Sequence, residues 1–124
     1  MTAFRAVVLE HFKHPRNRGP LEEANASEDG ANPLCGDRIR VQLRVIDGVI
    51  TAARFTADAC ALCIASASVM TDRVHGMSVD DALGLEIEVI HRALEGEPPR
   101  GRVKCTVLPL ETMRRALGRS GGAT

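Results

Sequence analysis

The segment Arg38-Ile39-Arg40-Val41-Gln42-Leu43-Arg44-Val45 sets the strongest constraint on how this chain can fold. Aliphatic and polar side chains alternate without a break. Successive side chains of an extended chain point to opposite faces, so the pattern predicts a strand with one face on a core and a cationic face toward water. Asp47-Gly48 follows, a pair that supplies the positive φ angles of a tight hairpin turn. Val49-Ile50-Thr51-Ala52-Ala53-Arg54-Phe55-Thr56 then predicts the returning, antiparallel strand.

A hairpin cannot cover its own apolar face, and the flanking sequence offers helices to do so. Phe4, Val7, Val8 and Phe12 recur at helical spacing, and Pro15 ends the pattern, which predicts a first helix over about 3–13. Residues 15–33 are polar and rich in Gly, Pro, Asn and Ala, reading as loop with at most a short edge strand. A second helix is expected from close to Cys60 through Val74, ending at Gly76. Ser78-Val79-Asp80-Asp81 resembles a capping box for helical structure to about residue 94, weakened or split at Gly84. Leu110, Met113, Ala116 and Leu117 mark a short final helix with Pro109 in its first turn and Gly118 at its end. The expected architecture is α+β, helices packed on a small antiparallel sheet, with 119–124 as a frayed tail.

The chain has 124 residues, 44% of them hydrophobic, which fits one small domain, 1–124, with a single core. Sixteen Lys and Arg balance sixteen Asp and Glu, and there is no Trp, no Tyr and only three Phe. Little is available to stack bases or to attract phosphate, so nucleic acid is not an expected partner. The longest apolar runs fall well short of the roughly 20 residues a spanning helix requires, so no membrane association is expected. Met1-Thr2-Ala3-Phe4-Arg5-Ala6 runs directly into the amphipathic pattern with no sign of an export signal. A cytoplasmic location, and thiols rather than disulfides for the four Cys, are the corresponding expectations.

Three of those cysteines sit at element boundaries: Cys35 before the first predicted strand, Cys60 between strand and helix, and Cys105 near the last helix. The N–H groups at a helix start favour negative charge, which should favour the thiolate form of Cys60 and also of Cys105. Asp37 stands two residues after Cys35, across a turn that Gly36 makes possible. Three soft sulfurs and one hard oxygen suit an ion or cluster that must later leave, whereas a permanent zinc site takes four Cys or His ligands. Cys is also among the most buried residue types, so spacing alone does not separate ligand from core.

The flanking motifs do. Asn32-Pro33-Leu34-Cys35-Gly36-Asp37, the segment Cys60-Ala61-Leu62-Cys63-Ile64-Ala65-Ser66-Ala67-Ser68-Val69-Met70-Thr71 and Arg102-Val103-Lys104-Cys105 resemble, in order, the three ligand motifs of the U-type iron–sulfur scaffold family, whose branches are IscU, the N-terminal domain of NifU, and SufU. Leu9 to Gly19, with its His14-Pro15-Arg16-Asn17 turn, is similar to that family's N-terminal helix and turn, so the resemblance runs from Phe4 to about Leu117. It implies a three-stranded antiparallel sheet packed against several helices, the sandwich of SufE and NifU-like proteins. It also implies that Cys35, Asp37, Cys60 and Cys105 are the ligand set.

By the same resemblance the chain is a non-enzymatic scaffold for a transient [2Fe–2S] cluster. It would take sulfur from a cysteine desulfurase, with Cys105 and Cys60 as candidate persulfide acceptors, and serve apo iron–sulfur proteins or carriers as a monomer or weak homo-oligomer. The residue before the third cysteine is Lys104, as in SufU, where IscU has His, while the spacing from Cys60 to Cys105 is IscU-like. The alternative is a zinc-dependent sulfur acceptor, a SufU-type sulfurtransferase that stimulates a desulfurase. In either case Lys104 would favour the Cys105 thiolate or meet an acidic partner.

Three further readings stay open. Cys63 is additional, expected either to pack in the Ala-Ser-rich helix face or to share thiol chemistry with Cys60. Cys60-x-x-Cys63 after a strand also mimics a thioredoxin-like active site, which would leave Cys35 and Cys105 without a role. A purely structural zinc domain is the other, disfavoured because Asp37 is a poor permanent ligand. His11, His14, His75 and His91 are expected as surface or capping residues, and Arg38, Arg40 and Arg44 as a solvated face.

Overall fold

The alternating segment forms the middle of a three-stranded antiparallel sheet. In the computed structural model, which describes residues 2–120, α1 (Thr2–Lys13) precedes β1 (Ala26–Asn32), β2 (Asp37–Ile46) and β3 (Val49–Asp58). The chain continues as α2 (Ala61–Val74), α3 (Val79–Leu83), α4 (Ile87–Ala93), a 3-10 turn (Arg100–Arg102) and α5 (Val103–Ser120). The sheet order is β1-β2-β3, and the fold is α+β.

Register explains which faces are buried. Val41 pairs with Phe55 and Leu43 with Ala53 across β2 and β3, and all four are buried, while Arg38 and Arg40 point to solvent. Asp47 (φ 53) and Gly48 (φ 75) take the left-handed angles of the expected turn. On the other side Gly30 of β1 pairs with Ile39. The edge strand is a full seven residues long, hidden in the sequence because its inward positions are Ala26, Glu28 and Gly30 rather than large aliphatics. Gly30 is required by α5: a methyl group there would collide with the hydroxyl of Thr112.

The helices α2 and α5 pack on the inner sheet face and on each other, and α1 lies against α2. Enclosed from several sides, α2 is buried from Cys63 through Thr71, which is why its sequence shows small residues all round rather than one apolar stripe. Its outer partner is fixed by the turn after α1. The Ser68 hydroxyl accepts the Arg16 N–H at 2.8 Å and meets His11 Nδ1 at 2.7 Å, and Asn17 Nδ2 donates to Thr71 at 3.2 Å. Asn17, in the left-handed region at φ 64, presents its carbonyl to Phe55 N–H at 3.0 Å, closing the turn onto β3.

Gly84 splits the following helical stretch, ending α3, whose Ser78 cap accepts the Asp81 N–H at 3.0 Å. Two expectations need correction. The last helix is not short: it spans 18 residues, Pro109 lies well inside it, and it passes Gly118 to reach Ser120. Because proline lacks an N–H, the Cys105 carbonyl four residues earlier loses its usual intrahelical donor, a cost the buried face of α5 outweighs. Of the expected tail, Arg119 and Ser120 are helical in backbone, and 121–124 lie outside the described residues. His91 is also no surface residue; it is buried, with Nε2 2.9 Å from the Thr106 hydroxyl.

Candidate metal centre

The chain reverses between β1 and β2 through Pro33-Leu34-Cys35-Gly36, and this reversal carries the first two expected ligands. Asn32 and Asp37 face each other as the last paired residues. The Asn32 carbonyl accepts the N–H groups of Cys35 and Gly36 at 3.1 and 2.8 Å, and Gly36 takes φ 76 with open space where a Cβ would stand. Cys35 is left exposed at the tip and Asp37 is drawn inward, only 2% exposed.

Asp37 is held by the start of α2. One carboxylate oxygen accepts the backbone N–H of Cys60 at 2.9 Å, and the other lies 3.9 Å from Cys60 Sγ. Cys60 is the N-cap residue of α2, with extended backbone and no side-chain cap bond of its own. The orphan N–H that a helix start always presents is thus satisfied by a side chain from the neighbouring strand.

Cys105 arrives from the first turn of α5. Its Sγ lies 3.8 Å from Cys35 Sγ, and the ligand atoms of Cys35, Asp37 and Cys105 all lie within 4.8 Å of one another. Cys60 falls outside that mutual limit and joins through Asp37. Asp37 therefore links the four donors, sharing one compact group with Cys35 and Cys105 and reaching Cys60 on its other side. No other group of this kind occurs among the described residues.

The expected ease of forming the Cys105 thiolate does not hold in the metal-free chain. Burial pushes this thiol up to about 12, while the Arg102 guanidinium acts in the opposite direction. The charge of the Arg102 guanidinium is favoured by Cys105 first and Cys60 second, which raises its own pKa. Arg102 and Lys104 are both exposed, and of the two it is Arg102 whose charge is coupled to the cysteines. The sequence carried a signal for this. Residues three apart on a helical turn share a side, so Arg102 meets Cys105, whereas the adjacent Lys104 is turned away.

Cys63 is part of the core, fully buried, with its thiol held protonated by that burial first and by the negative charge of Asp37 second. The packed reading is therefore the one the structure supports, and an exposed Cys60-Cys63 redox pair is not formed. His11 belongs to the α1–α2 junction described above. Arg40 pairs with Asp29 at 2.7 Å on the open sheet face, and Arg44 donates to the Glu23 carbonyl at 2.8 Å.

The sequence matches the profile of the NifU-like N-terminal domain over residues 3–120. This chain belongs to that family. It is similar to the iron–sulfur cluster assembly scaffold protein IscU of Aquifex aeolicus, 39% identical over 116 residues, covering 92% of this chain and 73% of that protein. It is also similar to the zinc-dependent sulfurtransferase SufU of Bacillus subtilis, 37% identical over 84 residues, covering 68% of this chain and 56% of that protein. Among solved structures, the N-terminal part of a NifU-like protein from Brucella abortus superposes with a TM-score of 0.77 at 26% identity, covering 95% of this chain and 94% of that one. The three-stranded sheet with its helices is thus the NifU-like fold, and the matched span contains Cys35, Asp37, Cys60 and Cys105. Among the described residues no helix is long and apolar enough to cross a membrane.

Proposed function

We propose that this chain is an iron–sulfur cluster assembly scaffold that takes sulfur from a cysteine desulfurase, builds a labile [2Fe–2S] cluster on Cys35, Asp37, Cys60 and Cys105, and hands it to apo-proteins or carrier proteins. The observation that carries this reading is the convergence of four donors from three separate chain segments, Asp37 standing with Cys35 and Cys105 on one side and meeting Cys60 on the other. A two-iron cluster needs two protein ligands on each iron. The Cys35–Cys105 sulfur separation of 3.8 Å is also the edge of a tetrahedron: two thiolates each about 2.3 Å from one metal ion stand about 3.8 Å apart.

The other parts of the site fit a temporary cargo. The Asp37 oxygen is a weaker partner for iron than sulfur, and Asp37 has an alternative occupation at the Cys60 N–H. Of the two expected sulfur acceptors, Cys60 is partly exposed and Cys105 is covered, so Cys60 is the one a donor reaches in this conformation. Four free cysteines suit a reducing compartment, and we place the protein in the cytoplasm, acting as a monomer or weak homo-oligomer.

A second reading, a zinc-dependent sulfur acceptor, is favoured by the compact Cys35–Asp37–Cys105 group, which is sized for one ion. Those three side chains with Cys60 would hold the zinc, and zinc would keep the thiols deprotonated. Anaerobic incubation with ferrous iron, cysteine and a desulfurase separates the two. The scaffold reading expects a visible chromophore that passes to an apo-ferredoxin; a colourless protein retaining one zinc ion and accelerating the desulfurase would replace it with the second.

A further inference from the structure

We propose that Cys35 and Cys105 are a redox pair that closes to a reversible disulfide when no metal holds their thiolates. The two sulfurs are already in contact at 3.8 Å, so closure to a bond of about 2.0 Å needs a shift of roughly 2 Å. One partner is free to make it. Cys35 sits on a four-residue hairpin tip beside Leu34, which is 85% exposed, and Gly36 has open space around it. Cys105 is fixed on the first turn of α5.

The remaining thiols are excluded by their surroundings. Cys63 has no exposed surface and is packed in the core. Cys60 is held on the other side of the site, its N–H on one Asp37 oxygen and its sulfur 3.9 Å from the other. The pairing is therefore specific, and it is not the pair that Cys60-x-x-Cys63 suggests in the sequence.

A small disulfide such as oxidised glutathione is the oxidant. The exposed Cys35 thiolate attacks one of its sulfurs, forming a mixed disulfide and releasing one glutathione thiolate. Cys105, passing its thiol proton to the released glutathione thiolate, then attacks Cys35 Sγ from 3.8 Å away, forming the Cys35–Cys105 bond and releasing the second glutathione thiolate. Two thiol protons leave the protein, and the two electrons go to the oxidant. The product withdraws two of the four donors, so it cannot bind metal as the dithiol does, and it protects the exposed Cys35 from irreversible over-oxidation. A thiol reductant restores the site.

The test uses the metal-stripped chain incubated with oxidised glutathione, digested without reduction and mapped by mass spectrometry. The expected product is one cross-linked peptide joining Cys35 to Cys105, lighter by two hydrogens than its parts. Cys60→Ser should give the same link, and Cys105→Ser should stop at glutathione on Cys35. A link involving Cys60 or Cys63, or glutathione accumulating on Cys35 of the native chain, overturns the proposal. Prior loading with zinc, the only arm that rests on the metal-site reading, should abolish the link. If zinc binds and the metal-free chain still fails to link, the disulfide falls and the metal site stands; if the link forms at the same rate with zinc present, the metal site falls and the disulfide stands.

Discussion

The Asp37 carboxylate accepts the backbone N–H of Cys60 at 2.9 Å, so the residue proposed as the oxygen ligand also fixes the start of the helix that carries a sulfur ligand. The two roles are separable by substitution. Asp37→Asn keeps an oxygen acceptor for the Cys60 N–H but removes the charge, and should leave the metal-free fold close to native stability while weakening metal binding. Asp37→Ala removes both and should cost about 1–3 kcal/mol of stability as well. Urea melts of the metal-free proteins, compared with zinc titrations, would show whether the two effects divide in this way.

Arg102 should matter more to the loaded site than to the empty one. Three thiol protons leave for one divalent ion, so the site becomes more negative on loading, and a guanidinium electrostatically coupled to Cys105 and Cys60 opposes that cost. Arg102→Ala should weaken zinc binding severalfold, Arg102→Lys should recover part of the loss, and Lys104→Ala should change it little. Competition with a chromophoric chelator measures all three.

The junction between α1 and α2 should be sensitive to pH. Burial first, and the neighbouring Arg16 charge second, hold the His11 pKa below its usual 6.5. The Arg16 guanidinium donates to His11 Nδ1 at 2.9 Å, which requires that nitrogen to be an acceptor. The unfolded chain therefore binds a proton more readily than the folded one, and the stability contributed by neutral His11 is complete above pH 6.5 and lost as pH falls through the lowered folded value. Melting temperatures across this range should decline on acidification, with a shallower slope for His11→Gln.

The contact between β1 and α5 gives a coupled pair. Gly30→Ala places a methyl group against the Thr112 hydroxyl and should destabilise the fold by about 1–3 kcal/mol. Thr112→Ala added to it should recover much of that loss even though it deletes the 2.7 Å bond from Thr112 to the Leu108 carbonyl. A double-mutant cycle showing additive losses would mean the two elements do not meet there.

Much of this arrangement is legible in the sequence. The Ile39–Val45 alternation and Asp47-Gly48 marked the hairpin because periodicity and turn chemistry agreed, and the Cys60 boundary marked α2. Elements whose burial does not depend on large side chains were harder to read. β1 buries Ala26 and Gly30, and so resembles a loop; α5 continues through Pro109 because tertiary packing outweighs local propensity. The site divided along the same line. Motif order points to the four proposed donors, but their spatial arrangement depends on which segments the fold brings together. Arg102 rather than Lys104 is coupled to Cys105 because adjacency in sequence is not adjacency on a helix.

Cys35, Asp37, Cys60 and Cys105 should bind a metal ion as one set. Zinc-edge X-ray absorption of the zinc-loaded protein tests it most directly. The account predicts a shell of three sulfurs at about 2.3 Å and one oxygen at about 2.0 Å, reduced to two sulfurs by replacing Cys35, Cys60 or Cys105 with serine and unchanged by Cys63→Ala. A shell of four sulfurs, one containing imidazole nitrogen, or one that loses a sulfur when Cys63 is replaced would contradict it.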